Sequence, residues 1–274
     1  MARPVSDKKG IARLSSSITS NKALVQKIIG FGLSVIFLLI VWWISASVPQ
    51  LRTSRVIPTP IEVLRYMGQE IAGGGFFGTI AGTLGRVLLA FVISFVLGLG
   101  LAIAARASEI VRNFVTPIVT VLRAIPTVGA ILVLIVVFRN TGTIAVFIAG
   151  LMLFPLLYEG FLTALKEVDK DLLEMAKIHR VSYIRQIWGI FVPSMLPFIF
   201  GAMVASVGMG LKVVIAAEIM AIPILGTMGT AMQQASQGLD FGRLFMWIVA
   251  AVLVGFLLEG GIRLLGKACM PWKK

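Results

Sequence analysis

Apolar residues along this chain of 274 residues gather into long unbroken runs, without the two-residue alternation of a half-buried strand. Six runs approach or exceed the roughly 20 apolar residues that a helix needs to cross a bilayer. They cover 28–48, 79–104, 115–138, 143–162, 193–220 and 244–265. Continuous apolarity favours helices over barrel strands, whose lipid-facing and lumen-facing residues alternate. The pattern predicts an all-α membrane protein of six transmembrane helices, with a polar segment over 1–27 ahead of a membrane domain over 28–274.

What interrupts the runs is informative too. Ile57-Pro58-Thr59-Pro60 predicts a rigid extended connector, because each proline fixes its own backbone and steers the residue before it away from the helical region. Ile61, Leu64, Met67 and Ile71 then recur at helical spacing, with Glu62, Arg65 and Glu70 elsewhere. This predicts a short interfacial helix, ended by Gly73-Gly74-Gly75. Gly78 with Gly82, Gly98 with Ala102, and Gly201, Ala205, Gly208 and Gly210 place small residues along the spans. Close helix packing is the expected reason, and smooth faces that slide during gating the alternative. Phe154-Pro155 predicts a kink in the fourth span.

Composition adds a solvent. With 58% hydrophobic and 14% charged residues, the chain has too few charges for the shell of a soluble protein of this size. Its net charge of +13 does not point to nucleic acid, since the bases lie between apolar runs and are not interleaved with aromatics. They act instead as topology signals. Placing the N-terminus inside puts 17 of the 25 Lys and Arg residues in cytoplasmic segments, so both termini are expected in the cytoplasm. Cys269 and His179, each the single residue of its kind, offer no zinc cluster. The polar, basic opening of the chain precedes a run too long for a signal-peptide core, so the N-terminus is expected to stay on.

The segment 165–192 is the one sizeable polar stretch between spans, about 28 residues of mixed charge where a hairpin needs only a few. Asp169 and Asp171 suit the first turn of a helix, and Leu172, Leu173, Ala176 and Ile178 give it an apolar face. The prediction is a short amphipathic helix lying across the membrane face, shaped to fit a partner's groove. Within the spans, Lys212 and Glu218 would each cost roughly 2.5 to 3.5 kcal/mol at the bilayer centre, so each is expected to face protein or a water-filled path. Lys212 is a candidate for contact with a transported solute or for a structural pairing, and Glu218, nearer the outer end, for an interface or gate. Arg123 is a further candidate for the path, although it, Glu159 and Glu259 lie near helix ends, where a charge can snorkel to the surface.

Glu174-Met175-Ala176 and Val192-Pro193 resemble the cytoplasmic loop of ABC importer permeases, which reads Glu-Ala-Ala, three residues, Gly, and a hydrophobic-Pro pair ending thirteen residues later. Arg180 stands at the glycine position. A left-handed backbone strains Arg where Gly adopts it freely, so the turn is expected in another form or at Val181-Ser182. Further landmarks follow in order: Ile57-Pro58-Thr59-Pro60-Ile61-Glu62-Val63, Thr83-Leu84-Gly85-Arg86-Val87, Leu122-Arg123-Ala124-Ile125-Pro126 and Ala216-Ala217-Glu218. Together they resemble the nitrate, sulfonate and taurine class of binding-protein-dependent permeases.

The resemblance implies a type I importer permease fold in the inner membrane, driven by ATP. It also implies the partners: a second permease copy, identical or closely related, a dimer of separate ATPase subunits, and an external substrate-binding protein. ATPase coupling is assigned to Asp169, Asp171, Glu174, Met175, Ala176, Lys177, Arg180 and Val181, in a helix seated in a cleft of the ATPase. ATP belongs to that partner, and no cofactor is expected here. Gly266-Lys267 is followed by Ala268, so the chain lacks a phosphate-cradling Gly-x-x-x-x-Gly-Lys-Ser/Thr. The expected solute is small and polar or anionic, such as a sulfonate, nitrate, bicarbonate or a thiamine-pyrimidine precursor. The alternative, a secondary transporter driven by an ion gradient, predicts inverted repeats and several midmembrane carboxylates, and neither is visible. An intramembrane enzyme would need a paired acid, a nucleophile-base set or a metal cluster at depth, which the sequence lacks.

Overall fold

The computed structural model describes residues 8–48, 56–138, 141–221 and 225–273. Arg3, Arg52, Arg55, Arg139 and Lys274, used above for orientation, lie outside the described residues. The chain divides into two units, Met1–Arg65 and Tyr66–Lys274.

In the first unit, helix α1 (Lys8–Ser47) runs from the polar segment straight into the first apolar stretch, Ile29–Ser47. Ser34, Ser45 and Ser47 each donate a hydroxyl to the carbonyl four residues back, so an apolar helix carries serine without an unmet donor. The Trp42 indole N–H donates to the Pro58 carbonyl at 3.0 Å and closes the connector back onto α1. Helix α2 (Pro60–Ala72), whose residues from Tyr66 on belong to the second unit, opens on a reciprocal capping box. The Thr59 N–H donates to the Glu62 carboxylate at 2.8 Å, and the Glu62 N–H to the Thr59 hydroxyl at 3.3 Å. Pro60 takes the first helical position, where a backbone donor has no partner to lose. At the far end Gly74, at φ +78°, supplies the left-handed residue that ends the helix.

The second unit is built on three long helices, α3 (Phe76–Ala107), α6 (Thr141–Lys166) and α9 (Val192–Met220). Val87, Ile148, Leu153, Leu157, Phe161 and Val214 are wholly buried where they meet. Small residues set the approach: a Cβ on Gly98 would stand 3.1 Å from the Tyr158 nitrogen, and one on Gly160 2.3 Å from the Ala202 Cβ. A Cβ on Gly82 would stand 2.2 Å from the Gly226 carbonyl oxygen, whereas one on Gly78 or Gly201 would meet nothing within 4 Å. Ser94 stitches α3 to α6 by donating to the Gly150 carbonyl at 2.9 Å. Two more helices complete the unit on this side, α10 (Met228–Gln237) and α11 (Phe241–Cys269), with Met246, Trp247, Ala250 and Val254 buried.

The third span departs from the expectation. The run 115–138 is not one helix: α4 (Glu109–Ala124) and α5 (Thr127–Phe138) meet at 98°. Pro126 is the cause, because its ring excludes the preceding residue from the helical region, and Ile125 is extended at φ −68°, ψ 124°. At 1.5 Å per residue the two pieces rise about 24 Å and 18 Å, each short of a hydrocarbon core of roughly 30 Å. Among the described residues five helices are therefore long and apolar enough to cross a membrane, and six if the bent pair counts as one crossing. By contrast, α6 continues as a single helix through Pro155.

Candidate functional site

Beyond α6 the chain turns back on itself through Val168, which is buried in a small apolar cluster with Ala164 and Met195. Asp169 follows with an extended backbone, and its carboxylate accepts from the Asp171 N–H at 2.8 Å, capping helix α7 (Lys170–Ile178). Asp171 in the first turn and Lys177 in the last both suit the helix dipole. The helix carries two apolar faces rather than the one expected. Ala176 is buried and Leu173 packs against the Val168 cluster, while Leu172, Met175 and Ile178 are 44%, 55% and 77% exposed. Glu174, Lys177 and Arg180 are exposed around this outer rim.

The reversal after α7 falls on Arg180 itself, at φ +52°. The Val181 N–H donates to the Ala176 carbonyl at 2.9 Å and the Arg180 N–H to the Lys177 carbonyl at 3.0 Å, which is the Schellman arrangement. Both expected ways of avoiding a left-handed arginine, another form of turn or a turn at Val181-Ser182, are thus set aside. The strain is roughly 1–2 kcal/mol, offset by two carbonyl bonds and by Gln186 Nε2 donating to the Val181 carbonyl at 2.8 Å. Arg180→Gly removes the strain and adds glycine's entropy loss, so it is expected to stabilise the solubilised protein by about 0.5–1 kcal/mol. Thermal unfolding checks this, with Arg180→Val as the destabilising counterpart.

A short helix, α8 (Tyr183–Gln186), and a wide turn over Ile187–Phe191 lead into α9. The Val192 N–H donates to the Ile187 carbonyl, five residues back instead of four. The extra residue makes room for Pro193, whose ring would otherwise crowd the carbonyl of the preceding turn.

Among the polar groups at depth, the Glu218 side chain has no exposed surface. Its Oε1 accepts from Arg86 Nη1 at 2.7 Å, and its Oε2 from the Thr83 hydroxyl at 2.9 Å and the Gly229 N–H at 3.1 Å. Thr83 Oγ1 in turn accepts from the Met228 N–H at 2.9 Å. One carboxylate thereby joins α3, α9 and the first turn of α10, whose free amides favour an anion. Gly229 is required for the approach, since a Cβ there would fall 2.3 Å from the Glu218 Cβ. Arg86 and Thr83 enter the sequence reading only within a landmark of the second span, not as candidates for the path or gate. Their spacing of three on α3 is readable, but their pairing with a carboxylate 132 to 135 residues away is not.

Lys212, the other predicted charge on α9, does not meet Glu218. It lines a cavity of about 510 Å³ beside α11 with Ile215, Ile219, Ile248, Phe256 and Glu259. Glu259 pairs with Arg263 at 3.1 Å, and Lys212 has no ion pair among the described residues. Arg123 is not left to snorkel alone, because Glu159 of α6 pairs with it. At the opposite end of α3 and α9 from α7, a polar cavity of about 460 Å³ is lined by Glu70, Thr79, Thr230, Gln234 and Arg243.

The family described as binding-protein-dependent transport system inner membrane component matches residues 94–269, a stretch that includes the bent pair, α7 and Glu218, though not its partners Thr83 and Arg86. The chain belongs to this family. Over most of its length this inner membrane component is similar to the taurine transport system permease protein TauC of Escherichia coli, 26% identical over 240 residues and 86% of each chain. It is also similar to the nitrate import permease protein NrtB of Synechocystis sp., 24% identical over 257 residues, 89% of this chain and 90% of that one. In structure it resembles a chain of a bacterial ABC transporter involved in the import of the acidic polysaccharide alginate. That match has a TM-score of 0.62 at 15% identity and covers 95% of this chain and 99% of the other. The permease therefore has the type I importer fold and is a multi-pass protein of the inner membrane.

Proposed function

We propose that this permease forms half of the path of an ATP-driven importer for a small anion of the sulfonate or nitrate kind. Two identical copies work with a dimer of separate ATPase subunits and an external binding protein, with α7 and both chain termini in the cytoplasm. The observation that carries the coupling role is the outward rim of Leu172, Met175 and Ile178 on a helix whose Leu173 packs on the Val168 and Met195 cluster of the body. A helix held in this way transmits force. Closure of the ATPase dimer moves α7, the Val168 and Met195 cluster carries that motion to the start of α9, and the Glu218 tie carries it to α3 and α10 at the far end. Lys212, an unpaired cation in a mainly apolar cavity, suits an oxyanion on its way through. Taurine and nitrate, for which the relatives are named, both present one.

Reconstitution with the cognate ATPase and binding protein in proteoliposomes tests this. Uptake of labelled taurine or nitrate is expected to require ATP and to survive a protonophore. Lys212→Met should lower uptake by roughly tenfold or more while leaving ATPase assembly intact, the loss appropriate to a hydrogen bond with a charged group. Uptake that proceeds without ATP and collapses with the protonophore would instead mark an ion-gradient carrier.

A further inference from the structure

At the end of the bundle that carries α7, Arg106 of α3, Arg112 of α4 and Lys166 of α6 surround a cavity of about 230 Å³, with Ala105 and Leu162 as its apolar wall. Glu109 answers one of the three cations, at 3.0 Å from Arg112, and it is itself an exposed side chain. Arg106 and Lys166 have no ion pair among the described residues. The cavity is thus lined by three cations, of which only Arg112 has an ion-pair partner among the described residues.

A second opening lies one helical turn away in register, since Leu101 precedes Ala105 by four residues on α3 and Val111 adjoins Arg112 on α4. It is a cleft of about 420 Å³ whose lining is wholly apolar, with Leu101, Ile110, Phe114, Ile118 and Phe154 around it. Ile110 and Phe114 are 83% and 70% exposed, so the cleft opens outward from the bundle. A basic cavity next to an apolar cleft, on a protein bathed in lipid, has the polarity of one class of molecule. A free phosphate would fill the cations and leave the cleft empty, and a neutral lipid would do the reverse.

We propose that α3, α4 and α6 bind an anionic phospholipid, its phosphodiester and headgroup held by Arg106, Arg112 and Lys166 and an acyl chain lying in the cleft beneath. Basic pockets between membrane helices recognise such headgroups through the same charges that set topology. The site stands at the root of α7, because Lys166 ends the helix from which the Val168 turn departs. The lipid braces the base of the lever that the ATPase pulls. The binding itself is independent of which solute the permease carries.

Native mass spectrometry of the whole transporter, released from nanodiscs of equal phosphatidylglycerol and phosphatidylethanolamine, tests the proposal. Phosphatidylglycerol is expected to be enriched on the wild-type permease and to stay bound in millimolar inorganic phosphate. Arg106→Gln with Lys166→Gln should lower its occupancy by about fivefold for each base removed. Phe114→Asn should lower lipid retention while leaving the three bases in place. Equal occupancy of the two lipids on the wild type, displacement by inorganic phosphate, or unchanged occupancy in the double variant would each overturn it. Should the double variant fail to assemble, the wild-type lipid preference and the phosphate competition decide the matter alone.

Discussion

Glu218→Ala is expected to destabilise the permease by about 3–5 kcal/mol, because it leaves Arg86 as a largely buried, uncompensated charge. The Thr83 hydroxyl and the Gly229 N–H lose their acceptor in the same step, each a buried donor with its own cost. At roughly 2–4 °C per kcal/mol for a chain of this length, the midpoint of thermal unfolding in mild detergent should fall by about 6–20 °C. Glu218→Gln keeps the shape and loses the charge, so it should fall between the two. Arg86→Met combined with Glu218→Leu removes both charges together, and most of the loss should be recovered. That recovery separates a charge left unpaired from a cavity left unfilled. A Glu218→Ala variant that melts with the wild type would show that the carboxylate does not tie α3, α9 and α10 together.

Met175→Asp is expected to weaken association with the ATPase by about 30-fold or more, with the fold intact. Met175 lies between Leu172 and Ile178 on the outer rim, where an apolar anchor seated in a partner's cleft is worth 2 kcal/mol or more, and a carboxylate in its place would be desolvated without a partner. Because the side chain is exposed in the free chain, thermal stability should not change. Leu173→Asp, two positions earlier on the helix, should do the opposite and damage folding through the Val168 cluster. Glu174→Ala, at the edge of the same rim, should cost less than Met175→Asp, since rim charges bear more on encounter than on residence. Titration of the ATPase against immobilised permease reads all three variants on one scale. Equal affinity for wild type and Met175→Asp would remove the rim from the interface.

How far these features can be read from the chain depends on what creates them. Run length and continuous apolarity suffice for the long helices, since a helix satisfies its own backbone in lipid and needs no distant partner. The bend between α4 and α5 escapes the same reasoning: the apolar run continues past Ile125-Pro126, and it is the proline that carries the break. The start of α7 is legible because Asp169 acts locally, through an N–H two residues away. Its two faces are not, because the difference between Leu173 and Leu172 is made by Val168 and Met195, residues outside the helix.

Arg180 shows the limit most clearly. The strain of a left-handed arginine follows from sequence, but the outcome depends on two hydrogen bonds that exist only once α7 has formed. Glu218 illustrates the same point at longer range. A lone carboxylate in an apolar run announces a partner, yet Lys212 on the same helix is the nearer candidate along the chain and Arg86 on α3 is the one it meets. In each case local chemistry is readable, and the identity of the neighbour is decided by packing.

The most direct test of α7 as the coupling element is photocrosslinking in the assembled transporter, with a benzophenone amino acid placed at Met175 in one variant and at Leu173 in another. The outward position should yield an adduct with the ATPase subunit, and the inward position should crosslink only within the permease. An ATPase adduct from Leu173 with none from Met175 would contradict the account.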